Sequence, residues 1–149
     1  MRGFRDRDFI QTNEEFFFCV VGNVHPPERV ISYIKYLPSD SGVWGNKKQQ
    51  FNRILKNYTI SNLLETFQYI EKNHPHYLFK SPVDNITVTA VPVDCIKKHF
   101  MPEKKLADLR KGISLDSLQK KLIRFTNHLE QISGIKETAF GITGSILLD

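Results

Sequence analysis

Cysteine is scarce in this chain of 149 residues: Cys19 and Cys95 are the two present. Two isolated thiols build neither a disulfide framework nor a four-ligand zinc site, and a reducing interior suits them. Long apolar runs are missing as well. A membrane-spanning helix needs about 20 mostly apolar residues, and no stretch here approaches that, so no membrane partner is expected. The opening Met1-Arg2-Gly3-Phe4-Arg5-Asp6-Arg7-Asp8 is charged with no apolar segment behind it. No secretory signal is expected, and the expected location is cytoplasmic. Repeats and low-complexity tracts are absent too. Neither sign of charge dominates, since 21 Lys+Arg stand against 16 Asp+Glu for a net +5. That modest excess favours approach to nucleotides, phosphates or nucleic acid. Its basic pairs are scattered (Lys47-Lys48, Lys97-Lys98, Lys104-Lys105, Arg110-Lys111, Lys120-Lys121), so surface solvation is the default reading.

What is present is an ordinary globular composition, 40% hydrophobic and 25% charged. A chain of this size buries roughly two-thirds of its extended surface and needs no staples. Phe16-Phe17-Phe18-Cys19-Val20-Val21 is too short for a helix and reads as a strand buried on both faces. Gly22 to Pro27 is a turn, because consecutive prolines cannot donate to a ladder. Arg29 to Leu37 is β-branched and aromatic, a second strand antiparallel to the first, ended by Pro38. Leu63, Leu64, Phe67 and Ile70 line one face of a helix from Ser61 to Asn73, capped by Thr59 or Ser61 and stopped before Pro75. Asn85 to Val91 alternates as a strand, and Pro92 suits the start of a short helix through Phe100.

Pro102 to Gly112 reads as a charged connector. It divides a β-rich part, residues 1–101, from a closing helix-strand unit, residues 113–149. In that unit Leu115, Leu118, Leu122, Phe125, Leu129 and Ile132 recur at helical spacing, with Ser114 as cap and Gly134 as the left-handed end. Thr138 to Thr143 follows as a strand. The expected class is α+β, a mainly antiparallel sheet with packed helices.

The segment richest in chemistry is Gly141-Ile142-Thr143-Gly144-Ser145. Glycines at a strand end let backbone amides approach a phosphate, Thr143 and Ser145 add hydroxyls, and a helix from Ile146 would aim its positive end at the anion. The same pattern also serves as a plain turn. Phe140 to Leu148 resembles the glycine-serine motif of DNA polymerase beta-like nucleotidyltransferases. Three upstream segments, Phe4 to Ile10, Phe18 to Ile31 and Ile34 to Pro38, are similar to a group of predicted nucleotidyltransferases of archaea.

The resemblance implies a nucleoside triphosphate as substrate, with Thr143, Gly144 and Ser145 touching its phosphates. It also implies Mg²⁺ held by an Asp-x-Asp pair roughly a dozen residues beyond the turn. This sequence ends at Asp149, four residues after Ser145. The expectation is therefore an N-terminal part without the metal ligands, binding no metal and inactive alone.

Other candidates carry less. His25 and Arg29 at the first turn are candidate anion or substrate contacts. Asp6 and Asp8 have the spacing of a metal pair on a strand, but Arg5 and Arg7 make a self-neutralised solvated arm the better reading. His74 and His76 lack a third ligand, and His99 and His128 read as exposed helix residues. Both thiols read as inert. No nucleophile, base and orienting group assemble from spacing, which leaves no hydrolase case. Tyr33, Lys35 and Arg29 share a face of the second strand and are the best base-stacking candidates. They support the alternative, a non-catalytic module for RNA or a protein partner, with homodimer formation through a sheet edge as a further candidate.

Overall fold

The computed structural model describes residues 2–42, 44–45 and 49–148. Lys47, Lys48 and Asp149, named above, lie outside the described residues. The fold is α+β and divides into two units, residues 1–99 and 100–149.

The first unit is built on an antiparallel sheet. Its strands are β1 (Phe9–Thr12), β2 (Phe17–Val20), β3 (Arg29–Ser39), β4 (Trp44–Gly45), β5 (Gln50–Arg53), β6 (Leu78–Lys80), β7 (Thr87–Pro92) and β8 (Ile96–Phe100). The order is β4-β5-β3-β2-β1-β8, and β7, itself paired with β6, joins β3 alongside. The long β3 organises it. Residues Arg29 to Ile31 pair with β7, Ser32 to Tyr36 with β2, and Tyr36 to Ser39 with β5. The apolar run of β2 is buried throughout, as a central strand requires. Pro38 does not end β3, because past Tyr36 the paired neighbour is β5 alone. A residue without an N–H is tolerated on such a one-sided stretch.

One register detail shapes the rest. Phe18 faces Ile34 but Phe17 faces Tyr36, which leaves Lys35 as an extra residue in β3. Such a bulge re-aims the side chains around it. On one face of the sheet Ile10, Phe18, Val20, Val30, Ile34 and Val91 form a core with Ile70 and Tyr77. Ile70 comes from the helix α1 (Ile60–Asn73), whose first turn is capped by the Thr59 hydroxyl accepting from the Asn62 amide. Leu63 and Leu64, expected on its packing face, are 43% and 57% exposed. The opposite face gathers Phe17, Tyr36, Trp44 and Phe51, with Tyr36 and Trp44 stacked at 5.0 Å.

The helix expected from Pro92 to Phe100 does not form. Val93–Cys95 makes one 3₁₀ turn and Ile96–Phe100 becomes β8 beside β1. Pairing with the free edge of β1 outweighs local propensity there.

The second unit holds α2 (Pro102–Lys111), α3 (Ser117–Ser133) and a single turn, α4 (Ser145–Leu148). Residues 102–112 are thus mostly helix in place of the expected connector. Pro102 occupies its first turn, Glu103 suits the positive end and Arg110 and Lys111 the negative end. Leu106, Ile142 and Ile146 form the small core, with Leu122 and Phe140 packed against it. Asp116, not Ser114, caps α3 through a reciprocal box with Gln119, and Gly134 closes it at φ 67°. Of the expected apolar stripe, Leu118, Phe125 and Ile132 stay 59%, 60% and 72% exposed. The expected strand Thr138 to Thr143 is instead a 3₁₀ turn, Glu137–Ala139, followed by extended chain whose Ile142 amide donates to the Pro102 carbonyl. Among the described residues no helix is long and apolar enough to cross a membrane.

Candidate functional site

The glycine-serine turn is shaped by two glycines with different reasons. A side chain at Gly141 would place its Cβ 2.7 Å from Pro102 Cβ and 2.9 Å from the Glu103 amide nitrogen, so only glycine fits against the start of α2. Gly144 adopts φ 83° with nothing within 4 Å of where a Cβ would stand. The left-handed backbone is what glycine supplies there, and the space beside it is open. The Leu147 amide returns to the Gly144 carbonyl at 3.3 Å, which starts α4 at Ser145. Thr143 and Ser145 are both exposed on this turn. Ile146, buried behind it, anchors the turn to the small core, and Leu147 beside it is buried too.

His25 and Arg29 lie in the first unit and are engaged by the protein itself. His25 Nδ1 accepts from the Ile31 amide at 3.2 Å, which fixes the prolines' turn onto the start of β3. Its Nε2 is buried without a partner, and the Phe4 ring meets the imidazole edge-on at 6.4 Å. Arg29 Nη1 lies 3.1, 3.3 and 3.1 Å from the carbonyls of His76, Leu78 and Ala90 and donates to this group, clasping β6 and β7 to the end of β3. Its guanidinium also lies 5.9 Å from the centre of Phe79.

In the Asp6-Arg7-Asp8 segment, Asp6 and Arg7 are exposed and pair with each other at 3.4 Å, as a self-neutralised solvated arm would, but Asp8 departs from that reading. Asp8 is fully buried. It accepts two hydrogen bonds from Arg2, at 2.6 and 2.8 Å, one from the Arg5 amide at 3.0 Å, and it lies 2.7 Å from His99 Nε2. Burial opposes its charge, but Arg2, His99 and the Arg5 amide outweigh it and hold the carboxyl down at about 2. His99, expected as an exposed helix residue, sits on β8 with its side chain 12% exposed and the Phe4 ring tilted over it at 4.5 Å. Asp6 turns away from Asp8 and accepts from the Gly22 amide at 3.0 Å.

His74 caps the end of α1, and His76 lies in the 3₁₀ turn that follows it. His74 packs edge-on against Phe16 at 4.7 Å, and burial lowers its pKa. Cys19 is 1% exposed, and burial raises its thiol above the ordinary range. Among the described residues no group of three or more His, Cys, Asp or Glu is placed to hold a metal ion.

A polar cluster lies on the second face of the sheet, with Tyr33 and Lys35 legible in the sequence but Arg53 and Tyr58 not. The bulge puts Lys35, 9% exposed, with its Nζ 4.9 Å from the centre of the Phe9 ring and 5.8 Å from that of Tyr36. Tyr33 meets Tyr58 at right angles at 6.3 Å, and Arg53 lies 5.2 Å over the Tyr58 ring. Burial, then the nearby Cys19 and Tyr58, push the Tyr33 phenol far above its usual value. Burial alone would raise Tyr58 too, but Tyr33, Lys35 and Arg53 favour its ionised form, and the net direction is down. The pairing of Tyr33 with Lys35 is visible in the alternation of β3; Arg53 and Tyr58 arrive from β5 and the loop after it.

Against known proteins, the chain is 25% identical over 148 residues to an uncharacterized protein of Methanocaldococcus jannaschii. The alignment covers 97% of this chain and 43% of that protein, so the chain spans less than half the length of the relative it matches. No family model matches. No solved structure matches either.

Proposed function

We propose that these residues are the N-terminal region of a nucleotidyltransferase, in which Thr143, Gly144 and Ser145 receive the phosphates of a nucleoside triphosphate. One observation carries the reading: Gly144, left-handed at φ 83°, opens a turn with free space beside it and hydroxyl residues on both sides. Phosphate recognition by backbone needs such an open, side-chain-free approach. The resemblance of Phe140 to Leu148 to the glycine-serine motif supplies the reaction class. Mg²⁺ bound in the whole protein would neutralise charge on the transferring phosphoryl group. The described residues do not offer a donor set for it, so in this proposal the carboxylates come from outside these 149 residues, and this region binds and orients.

The test is a titration of the 149-residue protein with ATP, followed by amide NMR. Saturable shifts at Thr143, Gly144 and Ser145, with no nucleotide transfer in Mg²⁺ or Mn²⁺, are the expected result. Robust turnover by this protein alone, or an unmoved turn at saturating ATP, overturns the proposal.

A second reading, a module that holds RNA, is supported by the outer face of α3. There Phe125, 60% exposed, stands among Lys121, Arg124 and His128. Stacking on an exposed ring between cations is how single strands are held. Salt-sensitive binding of mixed RNA, with no response to ATP, would favour this reading over the first.

A further inference from the structure

Lys35 presents a problem of charge. It is 9% exposed, and among the described residues no carboxylate lies within ion-pair distance of its ammonium group. An isolated buried ammonium is strongly disfavoured unless something compensates it. The rings of Phe9 and Tyr36, at 4.9 and 5.8 Å, return part of that cost. They do not bring a negative charge.

A second cation stands beside it. Tyr36 of β3 pairs with Arg53 of β5, and the Ile54 amide donates to the Lys35 carbonyl at 3.1 Å, so Lys35 and Arg53 adjoin across one ladder. Among the described residues Arg53 too has no carboxylate within ion-pair distance. The guanidinium lies 5.2 Å over the Tyr58 ring, and the same Tyr58 is the polar neighbour of Lys35. One buried cation without a counter-charge and one exposed cation therefore converge on one phenol, which is itself 58% exposed and opens the cluster to solvent. The tilt of Tyr58 toward its anionic form comes first from its hydrogen bond with Tyr33 and then from Lys35 and Arg53, so both cations act on this phenol.

We propose that Lys35, Arg53 and Tyr58 form an anion site for a phosphate group, separate from the glycine-serine turn and contained in the first unit. The chemistry selects the class. Two cations ask for a ligand carrying up to two negative charges. The planar fork of Arg53 matches two phosphate oxygens, Lys35 serves as a point charge, and the Tyr58 hydroxyl donates a third hydrogen bond. The exposed ring of Tyr58 adds a surface on which a base attached to that phosphate can stack. The phosphate can come from a free phosphate or mononucleotide, or from the backbone of a nucleic-acid strand.

The experiment is an amide NMR and thermal-denaturation titration of the 149-residue protein. The probes are inorganic phosphate and then a single-stranded oligonucleotide, with chloride at matched ionic strength as the reference. The site requires saturable shifts at Lys35, Arg53 and Tyr58 and a rise in Tm with at least one probe, and neither with chloride. Arg53→Gln, an exposed position, should weaken that response by about tenfold, the worth of one charge-assisted contact. Lys35→Met, of similar shape without the charge, should abolish it. Response to phosphate alone assigns the small ligand. Oligonucleotide binding that phosphate displaces assigns the strand. No saturable response in the native protein, or a response unchanged in Arg53→Gln, overturns the proposal, whatever ATP does at Thr143 to Ser145.

Discussion

Replacing Asp8 by asparagine removes one negative charge from a place where three partners converge. The Arg2 guanidinium, the Arg5 amide and His99 all address that carboxylate, and it has no exposure to water. Its pKa falls from an ordinary 3.8 to about 2. At about 1.4 kcal/mol per tenfold change in proton affinity, this corresponds to roughly 2.5 kcal/mol of stability carried by the ionised form. The sign follows from the depressed value. The contribution is fully present above pH about 5, where the unfolded chain is already ionised, and is lost as pH falls through about 2. Asp8→Asn keeps the shape but leaves Arg2 without its counter-charge, so the loss at pH 7 should be about 2–4 kcal/mol. Urea denaturation of the native protein and Asp8→Asn at pH 7, 4 and 2 measures it. The gap between the two proteins should be widest at pH 7, nearly intact at pH 4, and narrow at pH 2. A gap that stays constant across this range, or one below about 0.5 kcal/mol at pH 7, would refute the reasoning, because a solvated arm gives that result.

Three further outcomes follow from individual residues. Asp116→Ala removes the side chain that accepts from the Gln119 amide at 2.8 Å, and should cost about 1 kcal/mol with a loss of helical circular dichroism. Gly141→Ala drives a Cβ into the backbone of Pro102 and Glu103; overpacking of this kind should cost about 1–3 kcal/mol. Hydrogen exchange should then quicken in residues 102–148. Cys19, 1% exposed and with its thiol raised by burial, should react with a thiol reagent far more slowly than the half-buried Cys95. Equal rates would mean that the sheet opens readily.

The elements legible in the sequence are those whose signals are local. The apolar run of β2 and the alternation of β3 report strands because burial on their faces is decided by neighbours two residues apart. Thr59, Pro75 and Gly134 mark helix ends because capping is a matter of one turn of backbone. β8 is hidden for the opposite reason. Ile96-Lys97-Lys98-His99-Phe100 is polar at its centre, and what makes it a strand is the unpaired edge of β1, more than eighty residues earlier in the chain. The connector reading of residues 102–112 fails on charge. Arg110 and Lys111 read as a solvated pair, whereas at the end of α2 they complement its dipole while Leu106 and Leu109 bury.

The site residues divide along the same line. Gly141 and Gly144 are legible because a missing side chain has few explanations, and the structure supplies one for each. Asp8 is easily misread because its partner His99 lies 91 residues away, while the arginines adjoining it in sequence offer themselves as its counter-charges. The Lys35 cluster is half legible. Alternation on β3 puts Tyr33 and Lys35 together, but it puts Arg29 with them, and Arg29 is spent on three carbonyls. What takes its place is Arg53, through a one-residue bulge that no count of alternating residues contains. A slip of one residue decides which side chains share a face, so a strand that carries a bulge hides its chemistry from the sequence at the point where the bulge gathers it.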